Sequence, residues 1–344
     1  MFKYSHVCID TLGYALPPRV VSSAELENQL APVYERLRLP EGRLELMSGI
    51  RERRLWPKGT RPSEAAAAAG LEVLKKGDID PNEVDCLLFT SVCKDMMEPA
   101  TSSFVHHKLG LPKSCLVFDI SNACLGFIDG MVTLANMIEL GQVRNGLVVS
   151  GETAEDLLES TINALNADQT LTRKTIKGSF ASLTIGSGSV ACFMRRAEED
   201  EKKPKLVRGV WQTDTDHIHL CQGDVQGGEQ TLMETDSEEL LIRGVETAAR
   251  AWQQFVHPQW TDDNIDCYFC HQVGVAHFRM LFERLGLSES KNFQTLPFLG
   301  NVGTVSAPIT LAMAMEEKAF QPGQRGVMLG IGSGINSIAM GIEW

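Results

Sequence analysis

An internal duplication constrains the fold of this chain more than any other feature of its sequence. The stretches GDIDPNEVDCLLFTSV and PQWTDDNIDCYFCHQV both run from an acidic turn through Asp-Cys into an apolar segment, which places Cys86 and Cys267 at equivalent positions (267 − 86 = 181). The stretches ELGQVRNGLVVSGE and FQPGQRGVMLGIGSG form a second pair, which places Leu147 and Val327 at equivalent positions (327 − 147 = 180). Two landmarks with nearly the same offset favour two similar halves over a chance similarity.

The patterns inside each half predict an α/β protein. VDCLLFTSV and CLVFDI are short and apolar, as buried strands are. SEAAAAAGLEVLKKG and ACLGFIDGMVTLANMIELG have helical length and end in glycine, and the second is apolar nearly all round, so we expect a buried central helix. Alternating strands and helices predict mostly parallel central sheets. The charged segment RRAEEDEKKPK is the predicted boundary, with an N-terminal half at 1–198 and a C-terminal half at 199–344.

Composition and charge narrow the classes of function. The chain has 344 residues, 43% of them hydrophobic, and a formal net charge of −12, which argues against nucleic acid or an anionic membrane as a partner. No apolar run is long enough for a membrane span, and the N-terminus does not resemble a signal peptide, so we expect a cytoplasmic protein. Nine cysteines in that compartment predict unpaired thiols.

The stretch CLVFDISNACLGFIDG carries the first candidate catalytic residue. It predicts a buried strand, a tight Ser-Asn turn, and Cys124 at the start of the central helix. A thiol at a helix N-terminus lies in the positive end of the helix dipole, which favours the thiolate, and a sharp turn exposes the side chain. The alternative is that Cys124 is a small core residue, the usual fate of a free cysteine.

The stretch DCYFCHQVG allows three interpretations. Cys267, Cys270 and His271 have the spacing of a haem attachment site, and the two cysteines could also form half of a zinc site. Residues three apart on a strand face opposite sides, so we expect both cysteines to pack in the core rather than to share a metal. His271 would then lie at the carboxyl edge of the sheet, where α/β proteins bind ligands.

Two glycine-rich turns supply further candidates. Asn301 lies in PFLGNVGTVSAP, before an apolar helix that corresponds in the repeat to the helix of Cys124, so we expect the two residues to meet. Its amide could donate to an oxyanion, or the segment could be an ordinary turn. In GVMLGIGSGIN the glycines lack the spacing of a dinucleotide site. The Gly332 N–H could instead form an oxyanion hole with the N–H of Cys124.

Together these motifs resemble the thiolase-fold condensing enzymes, above all ketoacyl synthase III and its relatives. The resemblance implies that a thioester acylates Cys124, and that His271 and Asn301 hold the oxygen of a second thioester while its α-carbon becomes a carbanion. The N–H groups of Cys124 and Gly332 would stabilise the other oxyanion. It further implies cytoplasmic homodimers that use acyl-CoA or acyl carrier protein and need no cofactor or metal.

Glu98 decides the subgroup within this family. Its position in CKDMMEPATSS resembles that of the condensing enzyme of long-chain olefin biosynthesis, which joins two fatty acyl-CoAs head to head to a β-keto acid. There the glutamate is a base that enters the partner subunit's site, and Met96 and Met97 would suit an acyl channel. The alternatives are a solvated carboxylate and the decarboxylative reaction of 3-oxoacyl-ACP synthase III; a metal or haem protein is a more remote alternative.

The phosphates of the acyl carrier need cationic partners that the sequence marks only weakly. The stretch GIRERRLW also resembles the olefin group, and its Arg51, Arg53 and Arg54 are candidates for binding substrate by charge alone. A solvated basic face is the alternative.

Overall fold

The computed structural model describes residues 1–226 and 230–344. In this part of the chain the strands are β1 (Phe2–Lys3), β2 (Val7–Ala15), β3 (Arg19–Ser22), β4 (Glu52–Leu55), β5 (Cys86–Phe89), β6 (Leu116–Asp119), β7 (Asn145–Glu152), β8 (Gly188–Arg196), β9 (Lys205–Thr213), β10 (Cys221–Gln226), β11 (Gln230–Thr235), β12 (Cys267–Cys270), β13 (Arg325–Gly332) and β14 (Asn336–Glu343). The α-helices are α1 (Ser23–Gln29), α2 (Ala31–Leu37), α3 (Arg43–Ser48), α4 (Pro62–Lys76), α5 (Thr101–Leu109), α6 (Gly126–Glu139), α7 (Glu155–Ala167), α8 (Ser237–Phe255), α9 (Val275–Leu285), α10 (Leu296–Leu299) and α11 (Ser306–Glu316).

Ten strands form one mixed sheet that consists of two halves. Its order is β12-β13-β14-β9-β2-β8-β7-β5-β6, with β1 added beside β9. The halves join between β2 and β9, where only Cys8 and Lys205 are paired in register. The expected parallel pairs lie on the outer side of each half, at β5–β6, β5–β7 and β12–β13, and the strands between them pair antiparallel. The predicted α/β class is therefore confirmed.

The strand pairing repeats with the spacing seen in the sequence. Leu87 on β5 is in register with Leu147 on β7, and Tyr268 on β12 is in register with Val327 on β13. Leu87 and Tyr268 are 181 residues apart, as Cys86 and Cys267 are. Leu147 and Val327, their partners in register, are the second pair of equivalent positions found in the sequence, 180 residues apart. The duplicated pattern therefore corresponds to equivalent strand pairs. The boundary between residues 198 and 199 falls in the link from β8 to β9 and stays a prediction.

Two helices, α6 and α11, form the centre of the molecule. Their apolar side chains share one core with the inner faces of both half-sheets, and Phe127, Met131 and Leu134 of α6 have no exposed surface. Helices α4 and α5 cover the outer face of one half-sheet, and α8 and α9 cover that of the other. Burial of each such Leu, Met or Phe side chain contributes about 1.5–3 kcal/mol to the stability of the fold. Because many of them lie on α6 and α11, this burial holds both central helices, and therefore their first turns, in place between the half-sheets. None of the described helices is long and apolar enough to cross a membrane.

Candidate active site

A strained turn presents Cys124 between β6 and α6. Ala123 adopts a left-handed conformation with φ of 45°, which costs an L-residue other than glycine about 1–2 kcal/mol. Cys124 follows in the 3₁₀ turn Ala123–Leu125, and α6 begins directly after it. The sharp strand-to-helix turn predicted from the sequence is therefore present, and it leaves the cysteine half-buried.

The thiol of Cys124 is protonated at neutral pH. Burial raises its pKa to about 12, and the nearby Cys221 and Glu152 act in the same direction. The expectation that the helix dipole favours a thiolate at this position is therefore wrong for the resting protein. The physical reason is that burial removes the hydration that a thiolate needs, while the first turn of α6 begins only beyond the cysteine.

Polar side chains fix the turn of Cys124 against the start of β14, and the end of β13 packs on the same turn. Asn122 donates to Asp129 on the first turn of α6 and accepts a 3.0 Å hydrogen bond from Asn336 Nδ2. A Cβ placed on Gly332 would lie 3.1 Å from Leu125 Cγ, so the glycine allows β13 to pack directly on this turn. The structure thus brings together the two segments that carry the predicted oxyanion N–H groups.

His271 lies directly beyond β12, at the carboxyl edge of the sheet. Its backbone N–H donates to the Leu329 carbonyl at 2.8 Å, which continues the pairing with β13. The Nδ1 atom is buried and has no hydrogen-bond partner among the described residues. Burial, followed by the charge of His277, lowers the pKa of His271 to about 4. The imidazole is therefore neutral at pH 7 and can donate one N–H to a substrate oxygen.

Asn301 is the third residue of this region. Its side-chain Oδ1 accepts the N–H of Gly303 at 3.1 Å, which leaves the amide N–H₂ group as the donor. The following 3₁₀ turn contacts the turn of Cys124, and Thr304 Oγ1 accepts the N–H of Phe127 at 2.8 Å. The segments of Cys124 and Asn301 therefore meet where the two central helices begin, and β12, directly before His271, packs on α11.

Glu98 lies in an exposed loop of the single subunit. The loop residues Met96 to Ala100 are all exposed, and Met97 is exposed over its entire surface. The expectation that Met96 and Met97 line an acyl channel is therefore not met inside one chain. The physical reason is that no other segment of the described chain covers these two side chains.

Comparisons with known proteins agree with this geometry. Residues 118–214 match the family described as 3-oxoacyl-[acyl-carrier-protein (ACP)] synthase III, and residues 256–344 match its C-terminal family. The chain is 40% identical to an acyl-CoA:acyl-CoA alkyltransferase of Shewanella oneidensis, over 99% of this chain and 100% of the relative. The alkyltransferase of Xanthomonas campestris is 33% identical, over 99% of both chains.

Solved structures support the same assignment. Xanthomonas campestris OleA with bound cerulenin superposes with a TM-score of 0.93 at 32% identity, over 100% of this chain and 98% of that one. The chain belongs to the OleA-type thiolase-fold condensing enzymes. The thiolase-like fold and the acyltransferase class predicted from the sequence are confirmed.

The three arginines of the RERR stretch differ in how far solvent, and hence a bound carrier, can reach them in this OleA-type chain. Arg53 has no exposed surface and donates from Nη2 to Ser23 Oγ at 3.2 Å. It cannot reach a bound carrier, so the prediction of substrate binding is wrong for this residue, because β4 turns its side chain into the core. Arg54 is half-buried and donates to the Pro17 carbonyl, whereas Arg51 is exposed. For Arg51 and Arg54, contact with the carrier stays a prediction.

The cysteines before His271 occupy different cores. Cys267 packs with the central helices, and Cys270 packs with α8 and α9 on the opposite face of the sheet. This geometry prevents the two thiols from sharing one metal or haem. Within residues 1–226 and 230–344 no three His, Cys, Asp or Glu side chains cluster as metal ligands.

The sequence analysis missed Glu152, at the end of β7. Its carboxylate is 4% exposed, lies close enough to Cys124 to raise that thiol's pKa, and accepts the N–H groups of Val92 and Cys93. A signal existed, because an acidic residue ends the apolar stretch GLVVSGE at the carboxyl end of its strand, the kind of position that His271 has in its own half.

Proposed function

We propose that this OleA-type chain joins two fatty acyl-CoAs head to head through an acyl-Cys124 intermediate and releases a β-keto acid. The observation that carries the proposal is the packing of the turn after Asn301 on the turn of Cys124, together with a neutral His271 directly beyond β12, which packs on α11. The similarity to proteins named acyl-CoA:acyl-CoA alkyltransferase supports acyl-CoA as both substrates. A cytoplasmic location and use of an acyl carrier protein stay predictions.

The first half-reaction transfers an acyl group. The Cys124 sulfur attacks the thioester carbonyl, the new C–S bond replaces the bond to CoA, and CoA leaves as a thiol with the proton from Cys124. The N–H groups of Cys124 and Gly332 would hold the oxyanion of the tetrahedral intermediate. The high pKa of Cys124 means that deprotonation accompanies attack, so that no free thiolate accumulates.

The second half-reaction forms the carbon–carbon bond. Glu98 removes a proton from the α-carbon of a second acyl-CoA, and His271 and Asn301 donate to its thioester oxygen, which gains the negative charge. The α-carbon attacks the carbonyl of acyl-Cys124, the cysteine sulfur leaves and takes up a proton, and a β-ketoacyl-CoA results. Water then cleaves its thioester to give CoA and the β-keto acid.

The exposed position of Glu98 supports a base that acts in a partner subunit. Among the described residues, strand β6 ends the sheet with an unpaired edge, and its Leu116 is 45% exposed, as Met96 and Met97 of the Glu98 loop are exposed too. A homodimer that covers this edge would bury apolar side chains and bring Glu98 near a second active site.

Structures of Xanthomonas campestris OleA support the choice of residues. They include variants in which a glutamate, a histidine or a cysteine is replaced, and one cysteine variant with bound lauric acid and lauroyl-CoA. The replaced glutamate and cysteine of that protein have the same separation along the chain as Glu98 and Cys124 have here (143 − 117 = 124 − 98). The matching separation supports Glu98 as the equivalent of the replaced glutamate.

The test uses purified protein with lauroyl-CoA alone. Expected are release of free CoA and formation of a β-keto acid or of the ketone that it yields by losing CO₂. Glu98→Gln should still form acyl-Cys124, seen by intact mass spectrometry, but should lose condensation. Glu41→Gln, at another exposed loop glutamate, is the matched control. Absence of any β-keto product would refute the proposal. Unchanged condensation in Glu98→Gln together with dependence on a malonyl carrier protein would favour the decarboxylative reaction.

A further inference from the structure

Glu152 is a buried carboxylate without a cationic partner. Its Oε1 accepts the Val92 N–H at 2.9 Å and its Oε2 accepts the Cys93 N–H at 3.2 Å. No salt bridge among the described residues reaches it. Val92 and Cys93 begin the loop that carries Glu98, so Glu152 fixes the start of that loop to the end of β7.

The same carboxylate faces the turn of Asn301. A Cβ on Gly303, which has a φ of 54°, would lie 3.2 Å from Glu152 Oε1, so only glycine lets this turn approach so closely. The 3₁₀ turn Gly303–Val305 packs on β7, and the backbone N–H of Thr304 acts to lower the pKa of the carboxyl group. Glu152 therefore lies between two segments that the proposed reaction uses in its second half.

Burying a carboxylate such as that of Glu152 costs free energy of desolvation, which hydrogen bonds to the charged group can offset. Burial raises the pKa of Glu152, and the N–H groups of Val92, Cys93 and Thr304 oppose that rise. An ionised carboxylate accepts from all of these donors at once, which neither an amide nor an apolar side chain can do. The Glu152 carboxylate therefore holds separate backbone segments together by accepting their N–H groups, and it does not pair with a cation among the described residues.

We propose that Glu152 is a positioning residue for the condensation step, because it joins the loop that presents Glu98 to the turn that carries Asn301. This inference rests on the proposed function. The other end of the Glu98 loop is fixed independently, since Asp119 accepts the N–H groups of Thr101 and Ser102 at 2.9 and 2.8 Å. Loss of Glu152 therefore loosens one end of the loop and leaves the other in place.

The experiment measures the two half-reactions separately in the full-length protein. Glu152→Gln keeps the size and shape of the side chain, but one of its two oxygens becomes an N–H₂ group. That group faces a backbone N–H donor and cannot accept its hydrogen bond. Acylation of Cys124 by lauroyl-CoA, followed by intact mass spectrometry, should stay within about threefold of wild type, whereas β-keto product should form about tenfold more slowly or less. Glu152→Asp retains the charge, should fold even where the glutamine variant does not, and should show an intermediate loss of condensation.

The matched control is Glu155→Gln, close by along the chain, whose carboxylate pairs with Arg19 instead of the loop. Both half-reactions should be unchanged in this variant. Equal loss of acylation and condensation in the Glu152 variants, or no loss of condensation, overturns the positioning role while the proposed function stands. Wild-type protein that makes no β-keto product from acyl-CoA overturns both.

Discussion

Replacing Gly126 with alanine tests how closely the nucleophile turn packs on the sheet. Gly126 begins α6, just after Cys124, and a Cβ built on it would lie 2.4 Å from the Thr90 carbonyl oxygen at the end of β5. An ordinary contact of this kind begins at 3.4 Å. The helix start and the strand end must therefore separate by about 1 Å, because the carbonyl oxygen is backbone and the Cβ is held rigidly by the backbone of α6.

The expected cost can be worked from this conflict. Overpacking of a core typically costs about 1–3 kcal/mol, and the helix propensity of alanine returns about 0.5–1 kcal/mol of it. With an unfolding entropy of about 2.1 cal/mol/K per residue, the remaining loss of about 0.5–2 kcal/mol lowers the melting temperature by about 1–3 °C. The effect on rate should be larger, since a displacement of about 1 Å at a reacting group can slow a reaction about a hundredfold.

Scanning calorimetry and CoA release from lauroyl-CoA measure these two effects. Gly178→Ala is the matched control, because no atom lies within 4 Å of the corresponding Cβ and its backbone is not left-handed. We expect Gly178→Ala to melt and react like the wild-type protein. A Gly126→Ala variant with wild-type melting and acylation would refute the reasoning that this contact fixes the position of Cys124.

Three further predictions follow from the buried polar groups of the site. Thr304→Val removes the acceptor of the Phe127 N–H and should lower the free energy of unfolding, measured in urea, by about 1–3 kcal/mol. Thr304→Ser keeps the hydroxyl and is the control; a valine variant that loses no more stability than the serine variant would contradict this. Because burial raises the pKa of Cys124 to about 12, its alkylation by iodoacetamide should accelerate about tenfold per pH unit between about pH 7 and 10, and a plateau there would refute the value. Burial lowers the pKa of His271 from 6.5 to about 4 and also lowers that of His277. The unfolded state therefore binds protons at a higher pH than the folded state, and the free energy of unfolding should fall as pH drops from 6.5 towards 4. Urea titrations at each pH should show a weaker decline in His271→Asn than in the wild-type protein.

The sequence predicted the central helices and the strand ends that carry candidate residues, since both depend on local periodicity and turn chemistry. It described β6 less well. The apolar stretch from Cys115 to Ile120 favoured a buried strand, but the strand covers only Leu116–Asp119 and lies at the sheet edge. An apolar pattern shows that a strand will be covered and not whether its own chain or another subunit covers it.

The types of the candidate site residues could be predicted, but not their surroundings. Arg53 and Glu152 are charged residues whose burial depends on how distant segments pack, which periodicity does not record. The raised pKa of Cys124 arises for the same reason, because it depends on desolvation by the assembled core. Tertiary packing therefore decides which polar residues meet substrate and which hold the site together.

The equivalent strand ends of the two halves explain why only one of them supplies a histidine. The Thr90 N–H donates to Val149 O just as the His271 N–H donates to Leu329 O, so the backbone offers the same position twice. Beside Thr90, however, α6 packs so closely that a Cβ on Gly130 would lie 2.6 Å from the threonine methyl group. An imidazole has no room there. The half whose central helix follows the nucleophile is therefore packed too tightly for an imidazole at this strand end, and the other half carries His271 there.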